Sequence, residues 1–420
     1  MRLGTSGKLL ALLLCFLVGC QTAVSPTPPP SPTNPPAPVL AAATATETAV
    51  PPTHPPTNIP ATTTPLPTTT QLPTATPLPT APPQPTATLP PTSAPTATAI
   101  IPDLIGPTEF PDNVNPLTGE TVRHPDMLAK RPLAIKISNA PAYVRPQAGL
   151  NSADLVFEHL AEAGLTRFTA VFYTHDVDTV GSIRSGRLID LEIPRMYDAA
   201  FAYSGSAGRV REQFRASNFF ERIVSVDFAH GGFFRIEDPA KRVEHTLFTN
   251  TYNLRYILDM RGQDVAPTFQ NGMAFRQEPL TPGEPATRVE IAYEGTNATW
   301  GYSNGRYRRW TDGEPHLDAN SGQQLSFKNI VVIAAEHVPT DIVEDNFGGE
   351  DHFSLQIQIW GEGPVSVFRD GVRINGRWDR QDPNHMLTFT DLDGNILPLA
   401  PGNTFFQLVP KGFDQLYTMP

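Results

Sequence analysis

Three arginines carry the strongest chemical signal in this chain: Arg145, Arg184 and Arg187. A guanidinium fork matches a carboxylate or phosphate with two parallel hydrogen bonds, so each of them asks for an anionic partner. Arg184 and Arg187 fall in Ile183-Arg184-Ser185-Gly186-Arg187, a small-residue loop at an expected helix start. Backbone donors and the helix dipole would add to an anion's binding there. Gln147, Arg235 and His245 complete the candidate ligand set. The simpler alternative is internal pairing with Glu158, Glu162 or Asp190, which a formal net charge of −11 makes easy.

Other residues suggest catalysis. Ser204-Gly205-Ser206-Ala207-Gly208 lies between an apolar run and a helical pattern, the order of a hydrolase elbow with Ser206 in the nucleophile place. Asp227 or Asp238 and then His245 follow in triad order, although the first elbow position is Ser and the spacing is short. Glu158 and Glu162, four residues apart, share a face in either a strand or a helix and are candidates for paired carboxylates in glycoside cleavage. Asp227, His230, Asp238 and His245 are metal-ligand types, but their spacing matches no established site, so neither a metal nor a cofactor is expected. His230-Gly231-Gly232 reads as a turn. Asp391-Leu392-Asp393-Gly394 lacks the remaining ligands of a calcium loop. Trp300, Trp310, Trp360 and Trp378 stand at strand positions, where packing is the expected use and stacking on sugars the alternative.

The elements that must position these groups follow from periodicity. Residues 133–138 alternate as a strand, and 154–162 with 166–173 read as a hairpin about Gly164, with a helix over 153–161 as the alternative. Asn151-Ser152-Ala153-Asp154 is a helix-start signal. Residues 187–196 look helical, with Pro194 forcing an early end or a kink. A buried strand at 199–203 and a surface helix over 210–222 make an α/β unit, and 251–260 is a last helix. After a Pro/Gly-rich joint near 265–285 the pattern turns to strands at 288–293, 305–310, 330–335, 355–360, 365–369, 387–390 and 404–409. Asp370-Gly371, Asn375-Gly376 and Asp393-Gly394 are hairpin-turn signals among them.

The first hundred residues set the location. Arg2 and Lys8 precede an apolar run at 9–18 that is too short to span a bilayer, and Gly19-Cys20 completes a lipobox pattern. The pattern predicts a signal peptide over 1–19 and lipidation at Cys20. Cys15 is the other cysteine of the two in the chain, so the body has no disulfide and no thiol nucleophile. Residues 20–102 are rich in Pro, Thr and Ala, with little apolar surface to offset ordering entropy, and read as a disordered tether. Such a segment of about 80 residues reaches between roughly 50 Å as a coil and roughly 250 Å extended. The acidic body gives no electrostatic reason to bind nucleic acid and no polybasic help at anionic lipid, so attachment rests on acyl chains.

Several body segments together resemble one family. They are Arg131-Pro132-Leu133-Ala134-Ile135, Arg145-Pro146-Gln147-Ala148-Gly149-Leu150, Ala153-Asp154-Leu155-Val156-Phe157-Glu158, Gly164-Leu165-Thr166-Arg167-Phe168 and Ile183-Arg184-Ser185-Gly186-Arg187. Val367-Phe368-Arg369-Asp370-Gly371 with Gly376-Arg377-Trp378 completes the set. The combination resembles the bacterial envelope lipoproteins of the DUF3048 family, the group that includes the YerB-type lipoproteins. The resemblance implies a location and a two-part body, and no assigned activity. It also marks departures: Glu244 stands where the family usually has proline, and Tyr203-Ser204-Gly205-Ser206-Ala207 where it tends towards His-Ala-Gly-Gly-Ser.

The expected fold is an α/β (or α+β) N-terminal domain over 115–264 followed by a mainly β C-terminal domain over 286–412, behind the stalk. The expected function is a non-enzymatic, lipid-anchored, extracytoplasmic binding or assembly protein of the bacterial envelope. It would meet the membrane through its anchor and a wall glycan or envelope protein through the arginine loop. An envelope hydrolase acting on a phosphodiester or glycosidic bond is the alternative, and a purely structural lipoprotein without a ligand pocket is a third reading.

Overall fold

The computed structural model describes residues 103–420. The lipobox, Cys20 and the 20–102 tether lie outside the described residues. The body is built on a central sheet of Leu133–Ser138 (β1), Leu155–Leu160 (β2), Thr166–Phe172 (β3), Ala200–Tyr203 (β4), Ile223–Ser225 (β5), Asn329–Phe347 (β6), Glu350–Gln358 (β7), Gly361–Arg369 (β8), Val372–Arg380 (β9), Thr388–Asp391 (β10) and Thr404–Pro410 (β11). Their order is β10-β9-β8-β6-β11-β2-β3-β1-β4-β5, with β7 paired to β6 and Glu284–Pro285 to β9.

Strand β11 joins the two stretches of sequence. It runs parallel to β2 on one side and to β6 on the other, so 115–264 and 286–412 share one sheet. All its residues but the last are buried, as expected of a parallel strand covered on both faces. Side-chain alternation sends Phe406 and Leu408 into one core and Phe405 and Val409 into the other. The first core is closed by the helices Ile193–Met196 (α1) and Gly208–Ala216 (α2), through Ile193, Met196, Val210 and Phe214. The second is closed by Thr251–Met260 (α3), through Leu254 and Leu258, and by a second sheet of Arg288–Ala292, Asn297–Ser303, Arg306–Thr311 and Leu416–Met419, through Val289, Trp300 and Tyr307.

Strand β1 and helix α3 fall where periodicity placed them, and β2 and β3 form the expected antiparallel pair. Five expectations need correction. The surface helix expected over 210–222 spans Gly208–Ala216, and Phe220–Arg222 is a separate 3-10 turn. Residues 151–154 start no helix: a single 3-10 turn, Leu150–Ser152, leads into β2. The helix expected over 187–196 is broken into a 3-10 turn, Leu188–Leu191, and the four-residue α1 with Pro194 in its first turn. The strand expected at 330–335 runs on to Phe347, because β6 and β7 form a long hairpin beyond the body of the sheet. Asn375-Gly376 is not a turn. Gly376 lies inside β9, where an added Cβ would strike the Thr390 carbonyl. Asp370-Gly371, by contrast, turns β8 into β9 with both residues at positive φ, +53° and +78°.

Candidate anion-binding site

At the end of the sheet where β3 begins, the loop Ile183–Arg187 is pinned by backbone bonds on three sides. Ile183 N–H donates to Leu247 O (2.7 Å), Arg184 N–H to Lys136 O (3.0 Å) and Gly186 N–H to Gly205 O (2.9 Å). Asp190 locks it from below, accepting the Arg187 N–H (2.7 Å) and pairing with the buried Lys136 ammonium (2.7 Å). Lys136 also donates to His159 Nε2 (2.6 Å), so His159 carries its proton on Nδ1 and donates it to Leu160 O (2.9 Å). Arg184 and Arg187 therefore sit on a rigid platform.

That platform forms one wall of a cavity of about 590 Å³. Arg187 grips Glu162 through two nitrogens, Nε at 2.7 Å, and Arg167 of β3 takes the same carboxylate. Burial alone would raise the Glu162 carboxyl, but the two guanidinium groups overcome it and hold it far below the usual carboxylate range. The opposite wall comes from the β6–β7 hairpin. Its Glu344 approaches Arg187 at 3.3 Å and accepts a hydrogen bond from Ser354 (2.7 Å). Burial outweighs Arg187 here, and the Glu344 carboxyl is raised.

Arg184 is different. Its guanidinium is half-buried in the same cavity and makes no hydrogen bond or ion pair to any described residue. The nearby Glu244 carboxylate is taken at the rim by Arg242 (2.9 Å). Beside it His245 is 2 % exposed, packs edge-on against Tyr143 (5.3 Å) and leaves Nδ1 without a partner. Burial, and then the Arg184 charge, push the imidazole down to about 4, so it is neutral near pH 7 and carries one N–H to give. A free guanidinium next to an unused imidazole is a donor pair without an acceptor.

The remaining sequence candidates lie elsewhere. Arg145 pairs with Asp312 (2.6 Å), and Arg235 donates to Val243 O and Thr246. Gln147 is buried between Ser138 O (2.8 Å) and His316 (2.5 Å). Glu158 is fully buried on the other face of the sheet, held by Arg309 (2.8 Å), Gln407 (2.7 Å), Asn139 (3.0 Å) and Thr166 (2.8 Å). Strand β2 ends at Leu160, so Glu162 sits in a separate turn and the two carboxylates join different networks. Ser206 lines the cavity but donates to Asp227 (2.5 Å), whose other oxygen takes Arg211 (3.0 Å). His245 bonds neither, so no triad is assembled. Asp238 pairs with Lys241 and His230 accepts from the Ser225 N–H, and among the described residues no three metal-ligand side chains converge. Trp300 and Trp378 are core residues, while Trp360 is 39 % exposed. The expected helix dipole behind Arg187 also falls away, because a single 3-10 turn follows it and Asp190 already takes the Arg187 N–H.

Sequence reasoning missed Arg167 and Glu344 as site residues. Arg167 had a signal, a charge beside apolar residues in a strand that is buried throughout, Arg167 included. Glu344 had none, since only the hairpin's fold-back brings it in. A larger cleft of about 660 Å³, with Asn115, His124, Thr174 and His175 in its wall, gathers none of the candidates.

The buried imidazoles make acid sensitivity an expected property. Burial pushes His159, His245 and His316 below their usual 6.5, helped by Lys136, Arg184 and Arg309 respectively. A base whose folded value is depressed binds its proton in the unfolded chain first, so its contribution is whole above pH 6.5 and is lost as pH falls towards the folded value. The unfolding free energy should therefore fall on acidification from pH 6.5 to 4, by up to about 1.4 kcal/mol per pH unit for each histidine, and the urea midpoint with it. A midpoint that stays flat across that range contradicts the assignment.

Comparison with known proteins places the body in context. Residues 117–264 match the family profile described as "Protein of unknown function (DUF3048) N-terminal domain", and residues 289–406 match its C-terminal counterpart. The protein named "Putative lipoprotein YerB" of Bacillus subtilis (strain 168) is 27% identical over 301 residues, covering 70% of this chain and 86% of that protein. The crystal structure of the YerB protein from Bacillus subtilis aligns with a TM-score of 0.59 at 23% identity, covering 73% of this chain and 99% of that one, and so shares its fold.

Proposed function

Since the chain belongs to the DUF3048 family, we propose that it is a lipid-anchored, extracytoplasmic binding or assembly protein of the bacterial envelope that holds an anionic, wall-associated ligand in the Arg184 cavity. One observation carries this reading: Arg184 lines a polar cavity without a hydrogen bond or ion pair to any described residue, beside an imidazole with an unused nitrogen. The neighbouring arginines are matched internally, so they shape the wall and raise its potential rather than offering themselves whole. The anchor is supported by the lipobox at Cys20 and by the name of the Bacillus relative. Among the described residues no helix is long and apolar enough to cross a membrane. A hydrolase finds little support. Glu158 is sealed in the core, Glu162 is saturated by two arginines, and Ser206 has no histidine to activate it.

The test is retention of the full chain, in detergent, on isolated wall polymer. Arg184→Gln should release it at salt concentrations where the unaltered chain holds. Equal retention of the variant would remove the basis of the proposal. Glu244 gives a second expectation, because its carboxylate lies near Arg184 and competes with any incoming anion. Glu244→Gln should tighten anion binding by roughly two- to fivefold, the range of a partly exposed charge pair. Unchanged or weaker binding would show that Glu244 does not face the ligand.

A further inference from the structure

We infer that the ligand's charged group is a chain-terminal carboxylate, gripped by Arg184 and His245, with the atoms next to it resting on the small apolar surfaces of Ala140, Pro141, Ala163 and Ala207. This rests on the reading of the cavity as an anion site and names the chemistry of its occupant.

The charge balance sets the first limit. Three guanidinium groups, Arg167, Arg184 and Arg187, face the inner cavity against two carboxylates, Glu162 and Glu344. Three minus two leaves one positive charge to be met. At the mouth Arg242 pairs with Glu244, and Asp345 accepts a hydrogen bond from His352 (2.8 Å) but keeps its charge; Arg242 is 74 % and Asp345 49 % exposed, so water screens these outer charges from the interior. A singly charged oxyanion balances the interior, whereas a phosphate monoester brings a second charge that finds no partner.

The donors set the second limit. Arg184 offers a planar fork, and His245, neutral and 98 % buried, lines the same cavity beside it with its Nδ1 unpartnered. A planar carboxylate accepts the fork bidentately and keeps lone pairs for the imidazole. The third limit is shape. Three of these four residues carry only a methyl side chain, so the group bonded to the carboxylate can rest on small apolar side chains, while Ser185, Ser206 and Asn346 lie elsewhere in the same lining. Tyr143 and Leu165, both exposed, extend that surface outward. A peptide end with small side chains has the matching chemistry, a carboxylate and then short apolar substituents.

The experiment is isothermal titration of the full chain in detergent micelles with three probes: N-acetyl-Ala-Ala, its C-terminal amide, and glycerol phosphate. N-acetyl-Ala-Ala should bind, the amide should bind at least about tenfold more weakly, and Arg184→Gln should lower affinity for the acid by a similar factor, as expected for a lost charge-assisted hydrogen bond. Arg377→Gln, at an exposed arginine outside the cavity, should change nothing. Because Arg184 has no internal partner, the melting transition of Arg184→Gln should match the unaltered chain, which separates loss of binding from loss of fold. Equal binding of acid and amide overturns the inference. Arg184-dependent binding of glycerol phosphate without binding of the dipeptide also overturns it, while leaving the anion site standing. If none of the probes binds, both the inference and the anion site fall.

Discussion

Arg309→Ala is expected to destabilise the fold by about 3–5 kcal/mol, the usual cost of removing one partner from a buried ion pair. Arg309 and Glu158 are both fully buried, 2.8 Å apart, between the central sheet and the second sheet. The guanidinium lies over Trp300 (5.1 Å), Phe405 (4.9 Å) and Phe168 (5.6 Å), and it also donates to Gln407 (3.2 Å), Thr311 (3.0 Å) and His316 (3.2 Å). Without it the Glu158 carboxylate keeps its bonds to Asn139, Thr166 and Gln407 but loses its only counter-ion. Replacing that carboxylate as well removes the stranded charge, so the loss should be smaller in Arg309→Ala/Glu158→Gln than in Arg309→Ala alone. Denaturant unfolding of the two variants beside the unaltered chain checks this. A single-variant loss below about 1 kcal/mol would mean the pair is not buried as described.

Glu162→Ala should cost a similar amount, about 3–5 kcal/mol, for the opposite reason: it strands cations. Arg167 and Arg187 both rely on that carboxylate, with Glu344 left as the nearest acid at 3.3 Å from Arg187. The sign with pH follows from the depressed Glu162 carboxyl. Its contribution is present above the unfolded carboxylate value and is lost as pH falls towards the folded one, so the difference between Glu162→Ala and the unaltered chain should shrink in acid. Raised salt or added anion should stabilise the variant more than the parent, since an ion can stand in for the missing carboxylate. Urea midpoints measured with and without phosphate decide it. A variant as stable as the parent at neutral pH would contradict the network.

Much of the fold could be read where neighbours in sequence are also neighbours in space. The alternation of β1, the β2–β3 pair, the apolar run of β4 and the Asn250-capped α3 are local patterns with local causes. The shared sheet was not legible, because β11 joins β2 across a separation of 249 residues, as in the Gln407–Glu158 bond. Nothing in either strand names the other. The same holds for the site. Arg184, Arg187, Glu162, Ser206 and His245 stood out by residue type, and the fold brings all five to one cavity. Arg145, Arg235 and Gln147 stood out equally and are spent on bonds outside that cavity. Residue type shows what a side chain can do; only the count of its partners shows whether it is still available.

Whether Arg184 is free to take an anion can be read from the His245 ring beside it. Its titration can be followed by NMR in the full chain, with and without N-acetyl-Ala-Ala. The account predicts a value near 4 in the free protein, an upward move when an anion sits between the imidazole and Arg184, and an upward move in Arg184→Gln without any ligand. A His245 value near 6.5 that neither the anion nor the substitution shifts would contradict it.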